Sequence, residues 1–226
     1  MTGPIKVDLH LHTCASKDCA TRPADVIQAA RRRGLQRIAI TDHNSIAGAL
    51  AAQALDPDFV IAGEEILTTH GELLAYFVTE YVPPHLSPDE TLDRLAGQGA
   101  VVSVSHPFDP HRNGGWREEA LLQIVDRLDA IEVFNARCFR PQDNERALAF
   151  ARAHGLPGTA GSDAHSALEI GRGYVTLPPF ATAQEFRAAL PAAEAHGQLS
   201  SPWVHLISRF NVFRLRLGLK PTIRHR

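Results

Sequence analysis

IKVDLHLH, at residues 5–12, is a strand-like run that ends in two histidines separated by one residue. Alternate side chains of a strand point to the same face, so His10 and His12 can bind the same ion. Asp163 and His165 repeat this spacing near the other end of the chain, after a short strand-like run at residues 156–160. A site assembled from both ends of the chain indicates a closed barrel.

Further nitrogen and oxygen donors follow other strand-like runs. His43 comes after residues 37–41, Glu65 after residues 59–62, and His106 directly after residues 100–105. Together with the first four donors they exceed what one ion needs, so we predict a multinuclear site. Mixed imidazole and carboxylate ligation suits manganese, zinc or iron, whereas calcium prefers oxygen ligands.

The cysteines do not belong to this pattern. Cys14, Cys19 and Cys138 form no CxxC pair and are odd in number, so we expect free thiols in a reducing compartment. The chain begins without the charged and apolar segments of a signal peptide, and no run approaches the ~20 apolar residues of a membrane span. We therefore expect a cytoplasmic protein with no transmembrane segment.

The 226 residues fit one large α/β domain, and a net charge of −2 with 44% hydrophobic residues is typical of a globular enzyme. This composition argues against an obligate nucleic-acid binder, which would carry a basic excess. Strand-like and helical patterns alternate along the chain, which predicts a parallel sheet with helices outside. Predicted strands cover residues 5–9, 37–41, 59–62, 73–79, 100–105, 130–134 and 156–160.

Several candidate ligands fall just after these strands, and Asn135 does the same. The carboxyl ends of parallel strands converge at one mouth of a barrel, where βα loops build active sites. An open sheet would spread them too widely for one cluster. We therefore predict a β/α barrel with the metal site at the C-terminal ends of its strands.

Five strings, in this order, resemble the PHP (polymerase and histidinol phosphatase) family of metal-dependent phosphoesterases over about residues 5–175. They are VDLHLHT (7–13), ITDHN (40–44), GEEI (63–66), SHP (105–107) and GSDAH (161–165). The resemblance implies a distorted seven-stranded, TIM-like barrel. It also implies a hydrolase that cleaves phosphoric esters with two or three divalent ions.

The resemblance also implies a ligand set. By motif, the ligands of the first ion are His10, His12, Glu65 and Asp163. Glu65 bridges to a second ion, which His106 also binds. The ligands of a third ion are Asp18, His43 and His165.

Two positions depart from the family pattern. Asp18 lies one residue later than the usual spacing, and Cys19 replaces the glycine that normally follows. Many members have a ligand histidine at the position of Glu72, whereas this chain has His70 two residues earlier. If the strand begins this early, positions 70 and 72 share a face and either can reach the second ion. We favour Glu72 because the following residues match the family strand in register.

Charge favours three ions over two. Two divalent ions would neutralise the four candidate carboxylates. Three divalent ions would leave two positive charges, which an anionic phosphate substrate can balance. We expect metal-bound hydroxide to be the nucleophile, with no separate catalytic side chain. Arg137 is our candidate for a substrate phosphate contact, the alternative being a surface arginine that caps a loop. Asp42 and Glu64 neighbour ligands, and we expect them to orient the histidines.

We expect residues 1–198 to form the barrel domain and residues 199–226 a basic amphipathic helix or tail. The apolar stripe of this tail either packs on the barrel or contacts an anionic membrane or RNA. The expected substrate is a phosphorylated metabolite, a nucleotide or a short oligonucleotide. The alternatives are a histidinol-phosphate phosphatase, or a metal-binding module that associates with nucleic acid without catalysis.

Overall fold

A computed structural model describes residues 3–112, 114–219 and 221. The strands are β1 Ile5–Leu11, β2 Arg37–Ile40, β3 Val60–Leu67, β4 Glu72–Tyr76, β5 Val101–Val104, β6 Ala130–Asn135, β7 Gly158–Gly161, β8 Gly173–Leu177 and β9 Glu194–Gly197. The helices are α1 Pro23–Arg32, α2 Ala47–Leu55, α3 Pro88–Gly97, α4 Glu118–Ile124, α5 Pro141–His154, α6 Ala183–Ala189 and α7 Val204–Arg216. None of these described helices is long and apolar enough to cross a bilayer.

The strands form one sheet in the order β7-β6-β5-β4-β3-β2-β1-β8-β9. This sheet curls into a nearly closed barrel, because the residues that follow β7 meet the C-terminal end of β1. There, the Asp163 amide donates to the carbonyl of His10 at 2.7 Å, and the His12 amide donates to the carbonyl of Ala164 at 3.1 Å. The α/β barrel predicted from the sequence is therefore confirmed.

The prediction of an all-parallel sheet is wrong in two places. Strand β4 runs antiparallel to both β3 and β5, because only residues 68–71 connect β3 to β4. A parallel connection needs a crossover of a dozen or more residues, which four residues cannot provide. Strands β8 and β9 are also antiparallel and raise the strand count from the expected seven to nine. The β9 sequence EAHG has no apolar alternation, so nothing in its pattern signals a strand.

Each face of the sheet has its own apolar core. The inner core fills the barrel with side chains such as Leu9, Ile61 and Leu74, and it extends to Phe186 of α6. The outer core packs the helices on the sheet and includes Ile66. Side chains at the end opposite the candidate ligands thus close the barrel interior. The candidate ligands lie at the other end.

Helix α7 does not pack its apolar stripe on the barrel. Its buried residue is Asn211, whose side-chain amide donates to the carbonyl of Asp18 at 3.1 Å. Phe210 and Phe213 are more than half exposed. Of the two alternatives for this stripe, the structure does not show packing on the barrel, since the polar side of the helix makes the contact. Lys220, Arg224 and Arg226 of the predicted basic tail lie outside the described residues.

The closure of the barrel between β1 and β7 depends on Gly161. A Cβ atom at this position would lie 2.2 Å from Cβ and 2.8 Å from the amide nitrogen of His10. We expect Gly161→Ala to lower the free energy of unfolding by about 1–3 kcal/mol, because the overpacked strands must separate. Thermal denaturation would show this as a lower Tm, by roughly 2–4 °C for each kcal/mol in a domain of this size.

Gly97→Ala in α3 is the matched control, because nothing lies within 4 Å of its added Cβ. Alanine is the better helix former, so this variant should keep or slightly raise the Tm. An equal loss of Tm in both variants would contradict the role of Gly161.

Candidate metal centre

The carboxylate of Glu65, buried in β3, lies at the centre of a histidine cluster. Its Oε2 is 3.3 Å from Nε2 of His10, 3.4 Å from Nε2 of His12 and 2.8 Å from Nδ1 of His43. Its Oε1 is 3.2 Å from Nε2 of His106. Four imidazoles from three different loops and one strand therefore meet one carboxylate.

Asp163 completes one side of the cluster. Its Oδ1 is 3.2 Å from Nε2 of His12 and 3.7 Å from Nε2 of His10. Ligand atoms of these three residues all lie within 4.8 Å of one another, a spacing that can hold one ion. The i, i+2 spacing of His10 and His12 thus delivers both imidazoles to the same place.

Asp18 lies on the opposite side of His12. Its Oδ2 is 3.2 Å from Nε2 of His165 and 3.6 Å from Nε2 of His43. The three imidazoles of His12, His43 and His165 also have ligand atoms within 4.8 Å of one another. The structure therefore brings Asp18 into the cluster despite its unusual spacing.

Glu72, at the start of β4, faces the third side of the cluster. Its Oε2 is 3.6 Å from Nε2 of His106, and it forms a third close group with His43 and Glu65. His70 is exposed and its Nδ1 pairs with the hydroxyl of Thr69 at 2.9 Å. Of the two alternatives, the structure places Glu72 rather than His70 beside the cluster.

Three of the imidazoles are held in the orientation that metal ligation requires. The Nδ1 atom of His10 pairs with Glu132, and that of His12 with the hydroxyl of Ser16, both at 3.0 Å. The Nδ1 atom of His165 lies 2.8 Å from the carbonyl of Asp163. In each ring, Nε2 then faces the cluster. Histidine ligands of metal ions usually have this arrangement, with the second nitrogen bonded to a protein acceptor.

Several buried atoms at the centre have no hydrogen-bond partner among the described residues. They are Nε2 of His10, Nε2 of His12, Oδ1 of Asp18, Oε2 of Glu65 and Oδ1 of Asp163. A buried polar atom without a partner is costly, and five in one cluster call for partners that the protein itself does not supply. Divalent cations fit this donor set of carboxylates and imidazoles.

The electrostatics of the cluster also favour cations. Burial lowers the pKa of His10, but the surrounding carboxylates, led by Glu65, outweigh burial and hold it well above its ordinary value. Burial and the adjacent imidazoles, led by His165, hold the pKa of His12 well below its ordinary value. Protons on some imidazoles thus compensate the carboxylates when no cation is present, and ion binding would release them.

Glu132 in β6 supports the cluster, and sequence reasoning missed it. Its Oε1 pairs with His10, and its Oε2 accepts hydrogen bonds from the amide of His106 at 2.8 Å and the side-chain amide of Asn135 at 3.0 Å. The signal was available in the sequence, because a glutamate inside the apolar strand AIEVFN is unusual unless it has partners. Asn135 lies at the mouth, as its position after a predicted strand indicated.

The structure supports an orienting role for Asp42 but not for Glu64. Asp42 accepts hydrogen bonds from the hydroxyls of Ser16 at 2.6 Å and Thr13 at 2.7 Å, so it orients His12 only through Ser16. Glu64 points to the outer core, where its Oε2 accepts from the amide of Val82 at 3.1 Å. The expectation that Glu64 orients a histidine is therefore wrong, because neighbouring residues of a strand face opposite sides.

Two candidate ligands have a backbone conformation that residues with side chains rarely adopt. His106 has φ of +22° and Asp163 has φ of +51°. Hydrogen bonds hold both amides, to Glu132 and to the carbonyl of His10. Such strain costs of order 1–3 kcal/mol per residue and tends to occur at functional sites.

Arg137 is buried, with 2% of its surface exposed. Its Nε lies 3.2 Å from Oε2 of Glu169, and its Nη2 donates to the hydroxyl of Ser208 at 2.9 Å and to the carbonyl of Val204 at 3.3 Å. It is therefore not a surface arginine, and protein groups already bind its donors. The structure uses Arg137 to anchor α7.

Arg112 is a cation at the mouth that sequence reasoning missed. It forms an ion pair with Oδ2 of Asp163, and its Nε lies 3.6 Å from Oδ2 of Asp109. Burial lowers the pKa of Arg112, but Asp163 and the other carboxylates outweigh burial and raise it. Arg112 belongs to the loop between β5 and α4, far from any strand end in the sequence, so no pattern marked it.

Comparison with known proteins gives two family matches. Residues 8–71 match the PHP domain and residues 141–195 match the family described as PHP-associated. Over 174 residues the chain is 34% identical to the uncharacterized protein MJ0417 of Methanocaldococcus jannaschii. This alignment covers 76% of this chain and 70% of that protein. Over 198 residues the chain is 27% identical to the probable phosphatase YcdX of Escherichia coli O81. This alignment covers 73% of this chain and 80% of that protein.

A solved structure from Bacteroides vulgatus has the same architecture. It is a two-domain protein that contains a predicted PHP-like metal-dependent phosphoesterase, and it aligns with a TM-score of 0.72 at 20% identity. The alignment covers 87% of this chain and 66% of that protein. At this identity the likeness shows the fold alone.

The position of Glu64 in an apolar layer predicts a pH-dependent stability. Burial raises the pKa of Glu64 to about 8, from 4.5 for a free glutamate. The folded state therefore holds a proton that the unfolded state releases between pH 4.5 and 8, so stability falls as the pH rises through this window. We expect Glu64→Gln to raise the Tm at pH 8.5 by at least about 2 °C and to change it little at pH 4.5.

Melting curves of both proteins with excess EDTA keep metal binding out of this comparison. Glu80→Gln, at an exposed position, is the control and should show no such pH dependence. A Glu64→Gln difference that is the same at both pH values would refute the assignment.

Proposed function

Because this chain belongs to the PHP domain family of metal-dependent phosphoesterases, we propose that it hydrolyses phosphate esters with two or three divalent ions bound at the mouth of the barrel. The observation that carries this proposal is the position of Glu65 among four imidazole nitrogens at 2.8–3.4 Å, with unpartnered buried donor atoms around it. Such a donor set has more ligands than a single ion uses.

We propose three ion positions, the first from a close group of ligand atoms and the other two from the distances between neighbouring side chains. The ligands of the first are His10, His12 and Asp163. The ligands of the second are Glu65, Glu72 and His106, with His43 nearby. The ligands of the third are Asp18, His43 and His165. Glu65 lies within reach of all three groups, which makes it the candidate bridging ligand.

Charge supports three ions rather than two. The four carboxylates of the cluster, from Asp18, Glu65, Glu72 and Asp163, equal the charge of two divalent ions. A third ion leaves two positive charges, which an anionic substrate then balances. When bound, divalent ions supply the positive charge that a phosphoryl group needs and lower the pKa of water at the site. Manganese, zinc and iron all suit these ligands.

The protein residues hold this arrangement in place. Glu132 and Ser16 fix the rings of His10 and His12, so that Nε2 of each faces the ions. Arg112 pairs with Oδ2 of Asp163 and leaves Oδ1 directed at the histidines. We propose Arg112, in place of Arg137, as the contact for a phosphate oxygen, because it is at the mouth and 17% exposed, and arginine forms bidentate bonds with phosphate.

The substrate we propose is a phosphorylated small molecule, a nucleotide or a short oligonucleotide. Histidinol phosphate belongs to the first group and stays a specific alternative. A metal-binding module without activity is the other alternative. The fixed imidazole orientations and the cation at the mouth favour an enzyme, since mere metal storage requires neither.

A hydrolysis screen with Mn²⁺-loaded protein tests this function. The panel contains histidinol phosphate, nucleoside monophosphates, an activated phosphodiester and short oligonucleotides. We expect hydrolysis of at least one class, and a loss of kcat of at least about 100-fold in His43→Ala, because even supporting residues of metal sites contribute 10–100-fold. His70→Ala removes an exposed histidine of the same segment and should retain wild-type activity.

Arginine variants in the same assay separate substrate binding from structure. Arg112→Lys should raise KM, because lysine loses the bidentate contact, while Arg137→Lys should lower the Tm more than it alters KM. Absence of hydrolysis by the wild type over the whole panel would reject the proposed enzymatic function. Equal rates for the wild type and His43→Ala would reject the metal centre as its active site.

A further inference from the structure

Helix α7 is amphipathic in the reverse of the usual sense. Its polar side faces the barrel, through Asn211 and through Ser208, which accepts a hydrogen bond from Arg137. Its large apolar side chains face solvent. The exposed fractions are 73% for Trp203, 50% for Leu206, 59% for Phe210, 55% for Phe213 and 55% for Leu217.

These five side chains form one continuous stripe. Positions 203, 206, 210, 213 and 217 are spaced by three and four residues, which places them on one face of a helix. By the same periodicity, Arg209 and Arg216 lie along one border of the stripe and Arg214 along the other. We call this surface the α7 stripe. Exposed apolar surface of this extent and continuity marks an interaction site.

Positive charge is concentrated in the same part of the chain. The whole sequence has 23 basic and 25 acidic residues. Six of the basic residues and none of the acidic ones come after residue 208, so residues 1–208 have 17 basic against 25 acidic residues. The apolar stripe therefore lies in a basic segment attached to an acidic barrel.

We propose that the α7 stripe docks on the surface of an anionic lipid bilayer. Apolar and aromatic side chains bordered by arginines are the pattern of helices that lie in a membrane interface. The acyl chains would cover Trp203, Phe210 and Phe213, and the anionic headgroups would attract the arginines at the borders. This inference does not depend on the proposed phosphoesterase activity.

Two other occupants match the stripe less well. The spacing of three and four residues would allow α7 to pair with a second copy of itself, as in a coiled coil. However, arginines on both borders would then face arginines of the partner and repel them. A nucleic acid would neutralise the arginines but leave Leu206 and Leu217 in water. Of these three occupants, the anionic bilayer is the one that satisfies both the apolar and the basic part of the surface.

Docking would place the candidate metal centre beside the bilayer. Asn211 on the polar side of α7 bonds to the carbonyl of Asp18, whose carboxylate belongs to the cluster. Arg137 connects α7 to Asp163 of the cluster, because its Nη1 lies 3.4 Å from the carbonyl of Asp163. The helix that we assign to the membrane is thus bonded to one candidate ligand residue directly and to a second through Arg137.

Vesicle co-sedimentation of the full chain tests the proposal. We expect binding to phosphatidylcholine vesicles that contain phosphatidylserine to exceed binding to phosphatidylcholine alone by at least about tenfold, from three arginines near the surface. The excess should disappear in about 1 M NaCl, where the screening length falls to about 3 Å. The fluorescence of Trp203 should shift to the blue on binding. Trp116, the other tryptophan, is buried and should not respond.

Paired variants locate the binding surface. Phe210→Ser with Phe213→Ser should abolish vesicle binding, and Arg209→Glu with Arg216→Glu should abolish the preference for phosphatidylserine. The matched controls change exposed residues elsewhere: Leu55→Ser with Leu168→Ser, and Arg32→Glu with Arg152→Glu. These controls should bind as the wild type does, and unchanged Tm values establish that all variants are folded.

Failure of the wild type to bind phosphatidylserine vesicles would overturn the proposal. Equal losses in the stripe variants and their controls would do the same. A dimer in sedimentation velocity that Phe210→Ser with Phe213→Ser dissociates, without vesicle binding, would assign the stripe to a second copy. Binding of a single-stranded oligonucleotide alone would assign it to nucleic acid. None of these results bears on the hydrolysis screen, because vesicle binding requires neither metal nor activity.

Discussion

The carboxylate of Glu65 is buried and surrounded by imidazole nitrogens, and the rest of the mouth is arranged around it. A buried carboxylate needs positive charge close by, since a lone charge in a protein interior is strongly unfavourable. Four histidines supply ring nitrogens at 2.8–3.4 Å, and three further carboxylates, of Asp18, Glu72 and Asp163, bring the negative charge of the mouth to four. Neutral imidazoles balance none of this charge. Divalent cations would balance this charge and would also give the unpartnered donor atoms partners.

The closure of the barrel between β1 and β7 brings these donors together. Gly161 allows β1 and β7 to approach closely, and this approach places Asp163 beside His10 and His12. Glu132 links the same region to β5 and β6 by bonding both His10 and the amide of His106. The interior below the cluster is apolar, so the ligands are held at one end by packed strands rather than by mobile loops alone. Fold and site thus depend on the same few contacts.

Much of this could be predicted from the sequence, because local patterns carry it. The spacing of His10 and His12 gave their common direction, and the alternation of strands and helices gave the barrel. The antiparallel β4 was missed although the short turn at residues 68–71 excludes a crossover, and β9 was missed because its sequence EAHG has no apolar alternation. Glu132 and Arg112 act through contacts between distant segments. The outward stripe of α7 was also unpredictable, since periodicity identifies an apolar face but not what that face meets.

We propose that Glu65 organises a three-ion centre, and crystals grown with Mn²⁺ test this proposal most directly. An anomalous difference map recorded near the manganese edge should contain three peaks at the mouth. One should lie among His10, His12 and Asp163, one between Glu72 and His106, and one among Asp18, His43 and His165, all around the carboxylate of Glu65. A map with a single peak there, or with peaks only at surface residues, would contradict the account.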